Sequence, residues 1–296
     1  MMQAGRARAS GRRKAVLVIS LDCAAAFRRI AQDCIAGIKA HYGSAGDAEA
    51  VHRIRVAITR LRAAVSFFAP IAVDAECLRL KQEIAWLNAA LGAARDSDVM
   101  VEYASRKRYQ AWAGRVIGAD LDRRRTQDHR RLVRCLRSAR AQRLIEALLA
   151  WTRQGPWVAR WEAAAGRGDA EPLEAFCERE LNRWRERLIR TGRHLSSLNA
   201  ARRHRLRIRA KRFRYMLEAL TDILAARSGA EIRHVHSAAK RLQRTLGDLR
   251  DLERFAGLPS ADKQDNRRPP GYRRQQEKLG IDAARAWRDL KQAGAC

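Results

Sequence analysis

A His-Arg stretch near residue 52 occurs a second time about half a chain later, and this repeat restricts the fold more than any other feature. Val51-His52-Arg53-Ile54-Arg55-Val56 aligns with Arg203-His204-Arg205-Leu206-Arg207-Ile208. His52, Arg53, Arg55, Arg60 and Arg62 each have a counterpart 152 residues further on, in His204, Arg205, Arg207, Arg212 and Arg214. A second motif follows each copy, Leu91-Gly92-Ala93-Ala94-Arg95-Asp96 and then Leu246-Gly247-Asp248-Leu249-Arg250-Asp251, displaced by 155. Two ordered motifs at nearly constant displacement predict an internal duplication, in which each half builds what the other builds.

Apolar residues recur at helical spacing nearly throughout, and no run alternates as a strand would. Ser20 reads as the N-cap of a helix ending near Tyr42-Gly43, and Asp47 as the cap of one ending before Pro70. Further helices are predicted from Asp74 through Leu91-Gly92 and over roughly 120–152. After Pro172 (first helical turn) the same pattern predicts helices to Thr191-Gly192, from Asn199, over Glu231–Ala256 and over about Tyr272–Gln292. The fold class is therefore all-α, as two four-helix bundles related by a pseudo-twofold axis. Residues 1–19 read as a basic flexible tail, 20–292 as the domain, with a first half 20–153, a Gly/Pro-containing linker 154–169 and a second half 170–292. Pro259, Pro269 and Pro270 predict disorder over 257–271.

Placing the repeat on a helix gives it chemistry. At about 100° per residue, His52, Arg55, Thr59 and Arg62 fall within an arc of about 80°. Ile54, Ile58, Leu61, Val65 and Phe68 form the adjacent apolar arc. In the second copy His204, Arg207, Lys211 and Arg214 align beside Leu206, Phe213, Met216 and Leu220. Arg53, Arg60, Arg205 and Arg212 make a second basic edge. A basic stripe bordering a buried stripe lines a groove or cavity between packed helices, whereas a merely solvated face lies opposite the core.

The whole chain shares this bias: 61 basic residues face 32 acidic ones, a net charge of +29. Only nine of the basic residues are Lys, so an Arg-favouring codon bias explains the choice of Arg but not the shortage of Asp and Glu. Self-repulsion on that scale is relieved by a polyanion. Arg offers a planar fork that matches phosphate oxygens, and His among cations stays neutral until an anion arrives. Few carboxylates fall near the stripes, which leaves no evident general base and no hard-metal ligand set.

Catalytic signatures are absent: there is no phosphate-binding Gly-x-x-x-x-Gly-Lys loop and no Gly-x-Ser-x-Gly elbow, so a non-enzymatic protein without cofactor is expected. Glu49–His52 and Glu231–His234 share the Glu-x-x-His spacing of bundle metal sites, but they do not superpose in the repeat, and no metal is expected. Six scattered Cys without Cys-x-x-Cys spacing fit a reducing, cytoplasmic setting. The apolar run Ala15–Ile19 after Arg12-Arg13-Lys14 is too short for a membrane span. Nucleic acid remains the competing polyanion, because it too rewards basic stripes. Aromatics, at 6%, are scarce for base stacking, although the tryptophans cannot be placed from sequence.

His52-x-x-Arg55-Val56 with Arg60-Leu61-Arg62, and His204-Arg205-Leu206-Arg207 through Lys211-Arg212-Phe213-Arg214-Tyr215, resemble the two signature helices of the CHAD (conserved histidine α-helical domain) family. Leu91-Gly92-x-x-Arg95-Asp96-x-Asp98-Val99 and Leu246-Gly247-Asp248-Leu249-x-Asp251-Leu252 resemble that family's following helices. The resemblance spans about residues 20–292. It implies paired four-helix bundles around a basic cavity that binds inorganic polyphosphate. His52, Arg55, Arg62, His204, Arg207, Lys211 and Arg214 would then be the main ligands. Arg53, Arg60, Lys81, Arg205, Arg212, Lys240 and Arg244 would support them. Association with polyphosphate granules or polyphosphate-metabolising enzymes would follow. Thr59 and Ser66 stand where the family often carries basic residues, which predicts a weaker first half, and Arg250 replaces a common Asn. The Glu-x-Glu-x-Lys strand of an attached phosphohydrolase, frequent among relatives, is missing from this sequence.

Overall fold

A computed structural model of the chain describes residues 21–44, 47–116, 120–224, 229–258 and 268–293. Among these residues there are helices and no strands. The first half contains α1 (Cys23–Ala40), α2 (Ala48–Phe67), the short α3 (Ala69–Ala72), α4 (Ala75–Ser105), α5 (Gln110–Val116), α6 (Asp120–Leu136) and α7 (Ala139–Gln154). α8 (Pro156–Gly166) leads into α9 (Leu173–Thr191), α10 (Ala200–Leu224), α11 (Gly229–Ala256) and α12 (Tyr272–Gln292). Helices α1, α2, α4 and α7 pack on one another, and α9 to α12 form the second group, with α2 lying against α10 and α4 against α11.

Short polar side chains set the helix starts. Asp47 accepts from Ala50 N at 3.0 Å, Asp74 from Cys77 N at 2.6 Å and Asn199 from Arg202 N at 2.9 Å, each satisfying an orphan donor for about 1 kcal/mol. α1 starts at Cys23 under an Asp22 cap, where its carboxylate accepts from Ala25 N at 2.6 Å. Ser20, the sequence-predicted cap, lies outside the described residues, as do the expected tail 1–19 and residues 259–267 of the expected loop.

Two stretches differ from expectation. The single helix predicted over 120–152 is broken at Arg137-Ser138. The Ser138 hydroxyl closes the end of α6 by donating to Cys135 O at 2.6 Å, and it accepts from Ala141 N at 3.3 Å to open α7. The stretch 154–169, rich in Gly and Pro, is largely the helix α8. Pro156 occupies its first turn, where a missing N–H costs nothing. Trp157 anchors it: the side chain is fully buried and its indole donates to Trp151 O at 2.9 Å. Pro172 precedes α9 rather than lying in its first turn.

One apolar cluster runs through both halves. Its centre is aromatic, with Phe27, Phe67, Phe68, Trp151, Trp157 and Phe176 at centroid distances of 5.2–6.2 Å. Phe68 and Phe176 stack at 5.4 Å across the two halves. Burial of each large side chain contributes roughly 1.5–3 kcal/mol, so the halves share a core rather than merely touch. A smaller cluster of Tyr103, Tyr109, Trp112 and Phe255 ties the end of α4 and α5 to α11.

α9 stops at Gly192 because α12 comes too close for a side chain: a Cβ there would collide with the Trp287 indole, which donates to Ile189 O at 3.2 Å. Gly192→Ala is expected to destabilise the protein by about 1–3 kcal/mol through overpacking. Thermal denaturation should show this as a melting-point drop of several degrees, and no change would mean that α12 does not dock there.

Candidate functional site

The core arcs of α2 and α10 are buried as their spacing demands: Ile54, Ile58, Leu61, Leu206, Phe213 and Met216 are each about 1% exposed or less. That orientation turns the neighbouring basic stripes toward each other. The glycine of each Leu-Gly motif then makes room for the arginine of the corresponding His-x-x-Arg motif. A Cβ on Gly92 would lie 3.7 Å from Arg55 Nη1, and one on Gly247 would lie 3.6 Å from Arg207 Nε. Alanine would fit there, but any longer side chain would occupy the space of the guanidinium. The two repeated motifs are therefore one structural unit, used twice.

Between α2, α4, α10 and α11 lies a cavity of about 440 Å³. Its lining contains seven arginines and Lys211 against three aspartates, Asp96, Asp248 and Asp251. His52, Arg55 and Arg60 enter from α2, Arg95 and Asp96 from α4, Arg207, Lys211 and Arg214 from α10, and Arg244 and Arg250 from α11. The Nε atoms of Arg207 and Arg214 are buried without a hydrogen-bond acceptor. Tyr215 forms an aromatic wall under Arg214, Arg60 and Lys211, at 4.3, 5.3 and 5.6 Å from its ring centre.

The few carboxylates are shared. Asp96 meets Arg254 at 2.6 Å and Arg250 at 3.7 Å, an ion pair between the two halves. Glu218, one turn beyond Arg214, binds Arg214 at 2.6 Å, Arg60 at 3.2 Å and His236 at 3.1 Å. This is too little to neutralise the cluster. Burial, followed by the neighbouring cations, lowers the pKa of Arg55 and of Arg207, with Asp96 and Asp251 pulling the other way. Lys211 feels the conflict most: burial and the charges of Arg55, Arg207, Arg214 and Arg62 push its amine down to about 7. Loss of hydration and a nearby Arg, Arg95 for His52 and Arg250 for His204, hold both imidazoles below their ordinary value.

The sequence matches the CHAD domain over residues 29–258. The chain belongs to the CHAD family. Its fold is similar to the crystal structure of the CHAD domain from the plant Ricinus communis, with a TM-score of 0.69 and 22% identity over 94% of this chain and 96% of that one. It is also similar to PptA from Streptomyces chartreusis, with a TM-score of 0.53 and 16% identity over 91% and 94% of the two chains. Comparison with curated proteins finds no match.

Within this CHAD domain, His52, Arg55, Arg207, Lys211 and Arg214 share the cavity, joined by Arg60 and Arg244. Arg62 is outside the lining, although its charge reaches Lys211 and Arg212. His204 lines a neighbouring pocket with Arg203, Arg250 and Arg254. Arg53 is paired with Glu49 at 2.9 Å on the surface. Arg205 and Lys240 are exposed, Lys81 lies near the Cys77 thiol, and Arg212 is partly buried; none of these four lines the cavity. The sequence reading missed Arg95, Arg250 and the three aspartates as lining residues. Few carboxylates fall on the stripes themselves, yet Arg95-Asp96 and Arg250-Asp251 are also repeated, at the 155-residue displacement.

The CHAD cavity carries an electrostatic cost that depends on pH. With a folded pKa of about 7 against an ordinary value of 10.5, Lys211 binds fewer protons folded than unfolded between those pH values. Its contribution to stability therefore rises with pH across that window, and the full penalty applies below it. Lys211→Met should raise the melting temperature most near pH 6, with the gain shrinking as pH approaches 10. A pH-independent gain in phosphate-free buffer would show that Lys211 is not the strained cation.

Proposed function

We propose that this CHAD domain binds inorganic polyphosphate in the central cavity and does not turn it over. The observation that carries the reading is a cavity lined by seven arginines and one lysine with only three aspartates. Arginine forks match phosphate oxygens bidentately, and cations arriving from both halves suit a chain in which each phosphate meets a new donor. A linear phosphate chain is slender enough for a space of about 440 Å³. A nucleic-acid duplex is not.

The aromatic residues favour the same ligand. Trp112, Trp151, Trp157 and Trp161 are buried, Trp86, Trp184 and Trp287 pack against the core, and Tyr215 lies beneath cations. None of them offers the open faces on which successive bases stack. No group of three or more metal-ligating side chains occurs among the described residues, and no described helix is long and apolar enough to cross a membrane. In this reading the domain is a cytoplasmic protein that associates with polyphosphate granules or with enzymes acting on the polymer.

Labelled long-chain polyphosphate should be displaced poorly by equal phosphate concentrations of duplex DNA, single-stranded RNA or orthophosphate at near-physiological salt. Replacing Arg207, Lys211 and Arg214 together by Ala should weaken binding by about 100-fold or more, at roughly 1.5–3 kcal/mol for each charged hydrogen bond, with helicity by circular dichroism unchanged. Arg55→Ala should cost more than Arg62→Ala, because only Arg55 lines the cavity. Equal competition by DNA or RNA would replace polyphosphate with nucleic acid as the ligand. Normal binding by the triple variant would remove the cavity from the account.

A further inference from the structure

Lys211 is the one amine in a cavity otherwise furnished with guanidinium groups. Among the described residues it makes no ion pair with a carboxylate, and it donates to the Thr59 hydroxyl at 3.5 Å. Arg55 and Arg62 of α2 and Arg207 and Arg214 of its own helix repel its proton. The carboxylates of the lining, Asp96, Asp248 and Asp251, come from α4 and α11 and attend to the arginines instead. The guanidiniums stay charged in this setting, whereas the amine can shed its proton. An uncharged amine is a nucleophile, and it stands here among groups that capture phosphate.

We propose that Lys211 is a site of acylation by small acyl phosphates captured in the cavity. With the phosphoryl group held by Arg55, Arg207 and Arg214, the acyl group would lie in the same cavity as the amine. The nitrogen lone pair forms a new N–C bond to the acyl carbon, and the C–O bond to the bridging oxygen breaks. Its electron pair leaves with the phosphate, which takes up the proton shed by nitrogen. The products are an amide on Lys211 and free hydrogen phosphate. No oxidant or further reactant is consumed, and the arginines that hold the donor stabilise the departing phosphate as charge develops on it.

At pH 8 an amine with a pKa near 7 is mostly uncharged, whereas an exposed lysine at its ordinary value near 10.4 is almost entirely protonated. Acylation would remove a cation from the centre of the cavity and fill part of its volume, so a cell rich in acyl phosphates would turn polyanion binding down. The proposal rests on the cavity being an anion site, as the polyphosphate reading does, but it does not require the polymer to be the ligand.

The test uses the full chain at pH 8 with acetyl phosphate as donor, and peptide mass spectrometry to follow each lysine over time. Lys211 should acquire acetyl about tenfold faster than the exposed Lys39, Lys240 and Lys278. Excess orthophosphate should slow Lys211 and leave the exposed lysines unaffected. Without orthophosphate, acetic anhydride, which has no phosphate to be captured, should label Lys211 at a rate linear in reagent, whereas labelling by acetyl phosphate should saturate. A Lys211 rate no greater than that of the exposed lysines, or one indifferent to orthophosphate, overturns the proposal. If polyphosphate binds while Lys211 stays unmodified, acylation alone is refuted. If Lys211 reacts as expected while polyphosphate fails to bind, acylation stands and the polyphosphate reading falls.

Discussion

The contact between α2 and α10 sets the terms for the rest of the molecule, because it turns two arginine-bearing stripes toward one half-open cavity. Two unit charges 4 Å apart repel by about 4 kcal/mol at an effective dielectric of 20, and this site gathers eight cations. Nothing in the stripes themselves can hold the helices against that. The restraint comes from the reverse faces of the same helices, where Ile54, Leu61, Leu206 and Phe213 enter a core that continues without interruption into the Phe68–Phe176 stack. Each such side chain contributes roughly 1.5–3 kcal/mol. The sum over both halves offsets the repulsion, which is why the two bundles cannot be thought of as separate units joined by a linker. The helix α8, pinned by Trp157, belongs to this same clamp.

The sequence repeat brings equivalent residues together. Thr59 and Lys211 are counterparts in the repeat, and they face each other at 3.5 Å. A basic side chain at position 59 would meet the Lys211 ammonium head-on, so the threonine removes one cation from the most crowded point. Its hydroxyl is engaged with Arg55 O at 2.8 Å. There is one cavity, and both halves feed it. A second departure works in the opposite direction. Arg214 is held at 2.6 Å by Glu218, one turn along the helix. The position equivalent to Glu218 is Ser66, whose hydroxyl bonds Arg62 O at 2.8 Å and offers no charge. Arg214 lines the cavity and its counterpart Arg62 does not.

What could be read in advance was what depends on local chemistry and helical period. The cap at Asp47, the helix starts at Asp74 and Asn199, the buried arcs of α2 and α10, and the identity of five cavity residues all follow from spacing along single helices. What escaped depends on neighbours. Ser138 reads as an ordinary residue inside a periodic run until its hydroxyl is seen serving two helix ends at once. Gly155-Pro156 reads as a linker until Trp157 finds its place beside Trp151. His204 lies on the stripe but is directed to the adjoining pocket, while Arg95 and Arg250 reach the cavity from helices whose charges formed no stripe. The tryptophans were undecidable for the same reason: an indole is equally at home in a core and on a stacking platform, and only its surroundings choose between them.

The near-exclusive use of arginine in the lining has a physical rationale. Burial among like charges drives a lysine toward the neutral form, as Lys211 shows, and a site built from lysines would discharge itself when empty and lose its attraction for anions. Guanidinium keeps its proton under the same pressure, so the field survives and waits for a ligand. The three aspartates temper it without cancelling it: Asp96 spans the halves through Arg250 and Arg254, and Asp251 offsets Arg207. These carboxylates also limit what can enter. A single phosphate can engage one or two of the arginines and is held weakly, whereas a chain of phosphates engages several of them at once and adds the contributions. On the proposed reading, selectivity for a polymer over its monomer would follow from partial neutralisation spread along a cavity, with no need for a group that recognises an individual phosphate.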